Sequence, residues 1–171
     1  MRKKTASRPI LPACLLVAGR PCLVVGGGQI ATRKAGHLLD AEADITVVAS
    51  TVTEALRELA ASGRLRIIAR NFSASDITGQ YLVFAATDDE DVNRQVIAAC
   101  RKSGILCSAV DSCWTEGDFV TPAICRKNGL VVTVSTGGRS CRQSRMVKER
   151  IAQMLDAMTE EASMEEKNDA K

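Results

Sequence analysis

Three consecutive glycines carry the first chemical signal in this chain. Gly26-Gly27-Gly28 follow the apolar run Cys22-Leu23-Val24-Val25 and lead into Gln29-Ile30-Ala31. That order reads as a buried strand, a tight turn and the start of a helix. Glycine lets the backbone turn sharply and come close to a ligand, because no Cβ blocks the approach. The first N–H groups of the following helix have no intrahelical partner, and the helix dipole favours an anion beside them. Gly26, Gly28 and Ala31 give the spacing G-x-G-x-x-A of a dinucleotide-binding turn, whose small third residue permits close helix–strand packing. A glycine turn without a ligand can have the same sequence. Its place between a strand and a helix near the start of the chain favours the phosphate-binding reading. Two further strand ends carry polar groups, Thr87-Asp88-Asp89 and Asp111, and a second glycine turn follows at Thr136-Gly137-Gly138-Arg139-Ser140.

The elements that must position these groups are legible from periodicity. Residues 21–25 form the first strand, and 29–39 a helix whose face is Ile30, Ala31, Ala35, Leu38 and Leu39. His37, within that helix, is given no role. Residues 44–49 form the second strand, which ends in Ala49-Ser50-Thr51 with no carboxylate. In an NAD-binding fold this end meets the adenosine ribose. Hydroxyls bond a ribose but discriminate weakly, so NAD against NADP stays open on chemistry alone, and Ser50 or Thr51 can equally cap the helix expected over 52–61. Residues 64–70 read as an edge strand, 76–79 as a loop or short helix, and 81–86 as a fully apolar strand ending at Thr87. A helix over 91–103 and a fifth strand over 105–111 complete the alternation. Such alternation means βαβ units and a parallel sheet with ligands at the carboxyl ends of its strands.

After Asp111 the rhythm changes. A polar loop (112–118) precedes two runs, 119–125 and 130–135, joined by Arg126-Lys127-Asn128-Gly129, whose Asn-Gly pair signals a hairpin. A helix over 140–158 carries the stripe Val147, Ile151, Met154, Leu155 and Met158, a pattern of core or subunit interface. Residues 159–171 are charged and expected to fray. The expected fold is α/β: a Rossmann-like parallel sheet with helices on both faces, followed by a small α+β segment. The expected divisions are 1–112, 113–160 and a charged tail, 161–171.

Composition narrows the class. The 171 residues are 46% hydrophobic and 25% charged, values of a globular domain with a real core. A formal charge of +3 and only five aromatic residues argue against nucleic-acid binding and stacking platforms. Seven cysteines with no C-x-x-C pair and one histidine argue against a disulfide framework and against a metal site. Cys22, Cys100 and Cys107 read as small buried hydrophobes, and free thiols suit a reducing cytoplasm. The basic start, Met1 to Pro9, precedes no signal-length apolar core, and no run of 18 apolar residues occurs, so neither secretion nor a membrane span is expected.

In order and spacing, four segments resemble the precorrin-2 dehydrogenase family, the N-terminal module of sirohaem synthases. They are Leu23-Val-Val-Gly-Gly-Gly-Gln-Ile-Ala-Thr-Arg-Lys34, Phe84-Ala-Ala-Thr-Asp-Asp-Glu-Asp-Val-Asn93, Val110-Asp111 followed by Phe119-Val-Thr-Pro-Ala-Ile124, and Val134-Ser-Thr-Gly-Gly-Arg-Ser140. The resemblance runs from about Leu11 to Met158. It implies NAD-dependent oxidation of precorrin-2 to sirohydrochlorin and a homodimer built by the segment after the sheet. It places Gln29, Ile30, Ser50 and Thr51 on NAD, beside Gly26, Gly28 and Thr87, and makes Asp111 the active-site carboxylate. Thr136, with Gly137 and Ser140, falls at the tetrapyrrole site, and Arg139, Arg142 or Arg145 would suit the substrate's carboxylates. Where the family usually shows Ser-Pro before the last helix, this chain has Ser140-Cys141-Arg142-Gln143-Ser144-Arg145. That departure motivates a second reading, a non-catalytic dinucleotide or tetrapyrrole-binding module; iron or cobalt insertion into sirohydrochlorin is a third. The chain ends soon after the first dimerisation helix, so the further helical region of bifunctional members is mostly missing and chelation is not the expected activity; no methyltransferase module is expected either.

Overall fold

A computed structural model describes the backbone of residues 9–110, 112–127 and 129–169, with side chains throughout these ranges except at 112, 113 and 159–169. The apolar runs form one parallel sheet. Its strands are β1 (Pro21–Val25), β2 (Asp44–Val48), β3 (Arg66–Ile68), β4 (Leu82–Ala85) and β5 (Leu106–Ala109), in the spatial order β3-β2-β1-β4-β5. Central β1 pairs with β2 and β4, Val25 lying opposite Val48 on one side and Ala85 on the other. Covered on both faces, it is a continuous apolar run with no polar alternation. The chain leaves β1 toward β2 and β3 on one side and returns to β4 and β5 on the other. The carboxyl ends of β1 and β4 therefore flank a topological switch point, where open α/β sheets take their ligands.

Three helices cover the sheet. Ala31, Ala35 and Leu38 of α1 (Gln29–Leu39) and Leu56 of α2 (Glu54–Ala61) pack on Cys22, Val24, Ile45, Val47 and Phe84. The opposite face takes Val96, Ile97 and Cys100 of α3 (Glu90–Ser103) against Leu23, Val25, Val83 and Cys107. Each fully buried Val, Leu or Ile contributes about 1.5–3 kcal/mol, so this two-sided core fixes the strand ends on which a site can be built. The caps are local: Asp89 accepts hydrogen bonds from Asp91 N and Val92 N at the start of α3, which stops at Gly104 in the left-handed region. Burial pushes the Cys22 thiol up to about 11, consistent with an inert packing residue.

The structure trims the expected strands. The edge strand is three residues instead of 64–70, with Arg66 turned outward to pair Asp44 at 3.1 Å. β2, β4 and β5 also end earlier than their apolar runs: Ala49, Ala86 and Val110, just past them, each still donate an amide hydrogen bond to a neighbouring strand, to Ile68 O, Val25 O and Ala85 O.

Residues 13–120 make one compact unit; the described residues from 121 onward, with 9–12, make a second. In the second, β6 (Ala123–Lys127) and β7 (Leu130–Val134) form an antiparallel hairpin, Ala123 opposite Val134. The first strand starts at Ala123, not 119, since Pro122 has no N–H for a ladder. Arg126 and Lys127 belong to the strand, not the turn, and Asn128 lies outside the described residues. Helix α4 (Cys141–Asp169) packs on both strands, burying Leu155, and Lys127 pairs with Asp156. The tail expected to fray is helical to Asp169; its Ala, Met, Glu and Lys are strong helix formers. Among the described residues no helix is long and apolar enough to cross a membrane.

Candidate functional site

The glycine turn sits between two neighbouring loops, and each glycine meets a different demand. Gly26 has φ +124°, and a Cβ there would strike the Ala86 carbonyl after β4. A Cβ on Gly27 would strike the Thr51 carbonyl after β2. A Cβ on Gly28 would meet nothing within 4 Å. Two glycines are thus required for packing, and the third faces open space. Backbone bonds fasten the turn on both sides: Gly26 N donates to Val48 O at 2.9 Å, Thr53 N to Gly27 O at 2.9 Å and Ala86 N to Val25 O at 2.8 Å. The hydroxyls of Thr32 and Thr53 share a hydrogen bond of 2.8 Å, which ties α1 to the cap of α2.

Gly28 is the N-cap of α1. It offers no side-chain cap, and no acidic residue occupies the first turn. The helix start therefore keeps its positive dipole end and its outward N–H groups for an external acceptor. It opens on a cavity of about 920 Å³ at the carboxyl ends of β1, β2 and β4. Gly26, Gly28, Gln29, Ile30, Ser50, Thr51 and Thr87 all line it. The sheet topology alone brings together these residues from three separate loops.

The remaining walls were not legible in the sequence. Asn71 and Phe72 come from the loop after β3, and Val92 and Gln95 from α3. That loop is held by Arg70, whose guanidinium grips Asp76 at 2.8 and 2.5 Å and also donates to Asn71 O at 2.9 Å. The Arg70 hydrogen bond, seconded by the Ser73 amide, holds the Asp76 carboxyl below the usual carboxylate range. No lysine or arginine is among the described lining residues; of these, the helix amides and dipole are what an anion would rest on. Thr53 could have been anticipated as a Thr one residue before a helix. Lys34 could not: it is buried, with its ammonium 5.3 Å from the Phe84 ring, which packs edge-on against Phe119.

Asp111 lies outside the described residues. Thr136, Gly137 and Ser140 belong to the C-terminal unit, in a turn closed on itself. Thr136 Oγ1 accepts from Ser140 N at 2.9 Å and donates to Ser140 O at 3.2 Å, while Ser140 Oγ accepts from Gln143 N at 3.1 Å. Gly137 and Gly138 are both left-handed, at φ +60° and +79°. Arg139 folds back on Thr136 O, and Arg142 and Arg145 are exposed on α4.

A cavity of this size falls within the range of small-molecule and cofactor sites. An uncapped glycine-turn helix opens on it at the switch point of a parallel sheet, with hydroxyls at the end of β2. Together these define a dinucleotide-binding α/β domain, and a nicotinamide dinucleotide fits the groups present. Residues 13–123 match the family described as putative NAD(P)-binding. A siroheme synthase of Methylococcus capsulatus is 44% identical over 141 residues, covering 82% of this chain and 30% of that protein. One of Edwardsiella ictaluri is 39% identical over 136 residues, covering 80% of this chain and 29% of that protein. The solved structure of SirC, precorrin-2 dehydrogenase, superposes with a TM-score of 0.73 at 32% identity, over 84% of this chain and 70% of that one. The chain belongs to the putative NAD(P)-binding family and, within it, to the precorrin-2 dehydrogenases. It spans just under a third of the length of the siroheme synthases it matches.

Proposed function

We propose that the chain oxidises precorrin-2 to sirohydrochlorin with NAD, a step toward sirohaem, as a homodimer in the cytoplasm. The observation that carries the reading is the uncapped start of α1 opening on the switch-point cavity, in a fold shared with SirC. When bound, NAD supplies the acceptor for the hydride that leaves a saturated macrocycle carbon; the second hydrogen departs as a proton from a neighbouring position. The chain's own groups do the rest. The amides at Gly28, Gln29 and Ile30 bind the pyrophosphate, and Gly26 lets the turn seat against β4. Ser50 and Thr51 offer hydroxyls to the adenosine ribose, and Thr87 belongs to the cavity floor. Asp111, at the end of the β5 run, takes the proton or orients the ring. Residues 113–160 form the dimerisation and substrate segment, the first 112 being the NAD domain and 161–171 a tail. Thr136, Gly137 and Ser140 take part in holding the tetrapyrrole. Exposed Leu130, Val131, Met146, Met154 and Met158 support a subunit contact on this segment.

An anaerobic spectral assay tests this: purified protein and precorrin-2 generated in situ, with and without NAD. The sirohydrochlorin spectrum should appear only with NAD, and Asp111→Asn should abolish turnover while NAD still binds. Folded protein that binds NAD but gives a flat trace would leave a binding module.

A further inference from the structure

One polar side chain lies in the core of the NAD unit without a part in the account above. Asn93, in the first turns of α3, is fully buried. It occupies the apolar stripe of that helix, spaced i, i+3, i+4 and i+7 with Val96, Ile97 and Cys100. A buried amide at such a place is costly unless its hydrogen bonds are made. Three of them are made to one residue. Asn93 Oδ1 accepts from Thr87 N at 3.2 Å and from Thr87 Oγ1 at 2.9 Å, and Asn93 Nδ2 donates to Thr87 O at 3.0 Å. One side chain thus grips the amide, hydroxyl and carbonyl of the residue that ends β4. The Thr87 hydroxyl also lies 2.9 Å from Asp89 O and accepts from Asp89 N at 3.2 Å. Its single hydrogen is therefore used inside the turn, and Thr87 meets the cavity as fixed backbone more than as a free donor.

That backbone bears on the glycine turn. The space where a Gly26 Cβ would sit is closed by the Ala86 carbonyl and, at 3.0 Å, by Thr87 N, the same amide that Asn93 holds. A shift of Thr87 moves the surface against which Gly26 rests, and with it the start of α1. We infer that Asn93 is a positioning residue for the dinucleotide: through Thr87 it sets the seat of the glycine turn at the distance the pyrophosphate requires. A misplacement of about 1 Å can cost about a hundredfold in a positioned reaction, so a side chain that touches no ligand can still govern binding. The inference rests on the reading of the cavity as an NAD site.

The test compares Asn93→Asp and Asn93→Ala with Val96→Ala, which opens a hole in the same helix away from Thr87. NAD affinity is measured by direct titration, and KM for NAD and kcat in the spectral assay. Asn93→Asp keeps the shape and the acceptor but loses the donor to Thr87 O. The expected result is an NAD affinity lowered about threefold to tenfold in Asn93→Asp and more in Asn93→Ala, expressed in KM for NAD with kcat largely kept. Val96→Ala should lower the melting temperature and leave NAD affinity within about twofold, since its effect is a cavity remote from the turn. Hydrogen exchange on the wild-type protein adds a reading that needs no variant: the Thr87 amide should be protected. Folded Asn93 variants that bind NAD normally, an affinity loss in Val96→Ala equal to theirs, or an unprotected Thr87 amide would each overturn the inference. Wild-type protein that fails to bind NAD would overturn the functional reading as well, and so separates the two failures.

Discussion

The two glycine turns of this chain use the same residues to opposite ends. At Gly26–Gly28 the loop is packed by its neighbours and the helix start is left uncapped, so the N–H groups face a cavity. At Thr136–Ser140 two left-handed glycines fold the backbone over, and hydroxyls of the loop itself satisfy its amides and cap α4. An open turn presents donors; a closed one consumes them. Glycine content does not separate the cases, whereas the residue at the cap does: glycine in the first, serine in the second.

The strongest way to break this contrast is within the open turn itself. Gly27→Ala drives a Cβ into the Thr51 carbonyl, a backbone atom that cannot swing aside. It should destabilise the fold by about 1–3 kcal/mol, as overpacking does, and remove NAD binding. Gly28→Ala adds the same methyl group to open space. It should fold with a melting temperature within about 2 °C of wild type, a stability change well under 1 kcal/mol, yet bind NAD about tenfold more weakly, or 1.4 kcal/mol. Titration calorimetry beside thermal melts separates the two. Equal NAD affinity in Gly28→Ala and wild type would mean that this space is not where the ligand lies.

The caps give the next size of effect. Thr53→Ala deprives α2 of its cap and α1 of the hydroxyl bridge to Thr32, and should cost about 1 kcal/mol in urea denaturation. Its loss should also weaken NAD binding slightly: without the cap and the Thr32 bridge, the backbone of residue 53, whose amide holds Gly27 O, is less firmly placed. Ser140→Ala should cost about the same through α4, with Ser140→Asp restoring it. Complete indifference of stability to Ser140→Ala would show that the second turn is not closed by its cap in solution.

Much of this was legible in the residue order. The glycine spacing, the five apolar runs and the α1 stripe fixed a parallel sheet and its ligand face, since burial on both sides leaves an unmistakable run such as Cys22–Val25. Three loops meet at the cavity because the strand order reverses at β1, and for Ser50, Thr51 and Thr87 the position at a strand end was enough. What periodicity could not supply was lateral contact. Asn71 and Phe72 reach the cavity from a loop whose shape depends on Arg70 and Asp76, six residues apart with no repeating pattern. Asn93 did leave a trace, a polar residue on an apolar stripe, but the partner it needs is identified only when β4 and α3 are brought together. The end of α4 was misjudged for another reason: absence of an apolar stripe says that a helix has no partner face, not that residues of high helix propensity will leave the helix.

The smallest expected effect probes the cavity wall, which carries an ionisable lock that the closed turn lacks. Asp76 is held by Arg70 and by the Ser73 amide, and its carboxyl titrates below the ordinary range chiefly because of the Arg70 hydrogen bond. A folded-state pKa below the unfolded value stabilises the protein above the unfolded value, about 3.9 for Asp, and that contribution is lost as pH falls through the depressed folded value. Arg70→Gln should therefore lower the urea midpoint at neutral pH, and the gap to wild type should close as the pH drops below about 4. Arg70 also donates to the Asn71 carbonyl, so NAD affinity should follow the same course, falling in acid for wild type more steeply than for the variant. Parallel pH profiles for the two proteins would show that Asp76 carries no folding-linked charge. A closing gap in stability with no matching change in NAD affinity would keep the lock and detach it from the site, leaving the open turn dependent on its glycines, on Thr53 and on the Asn93–Thr87 seat.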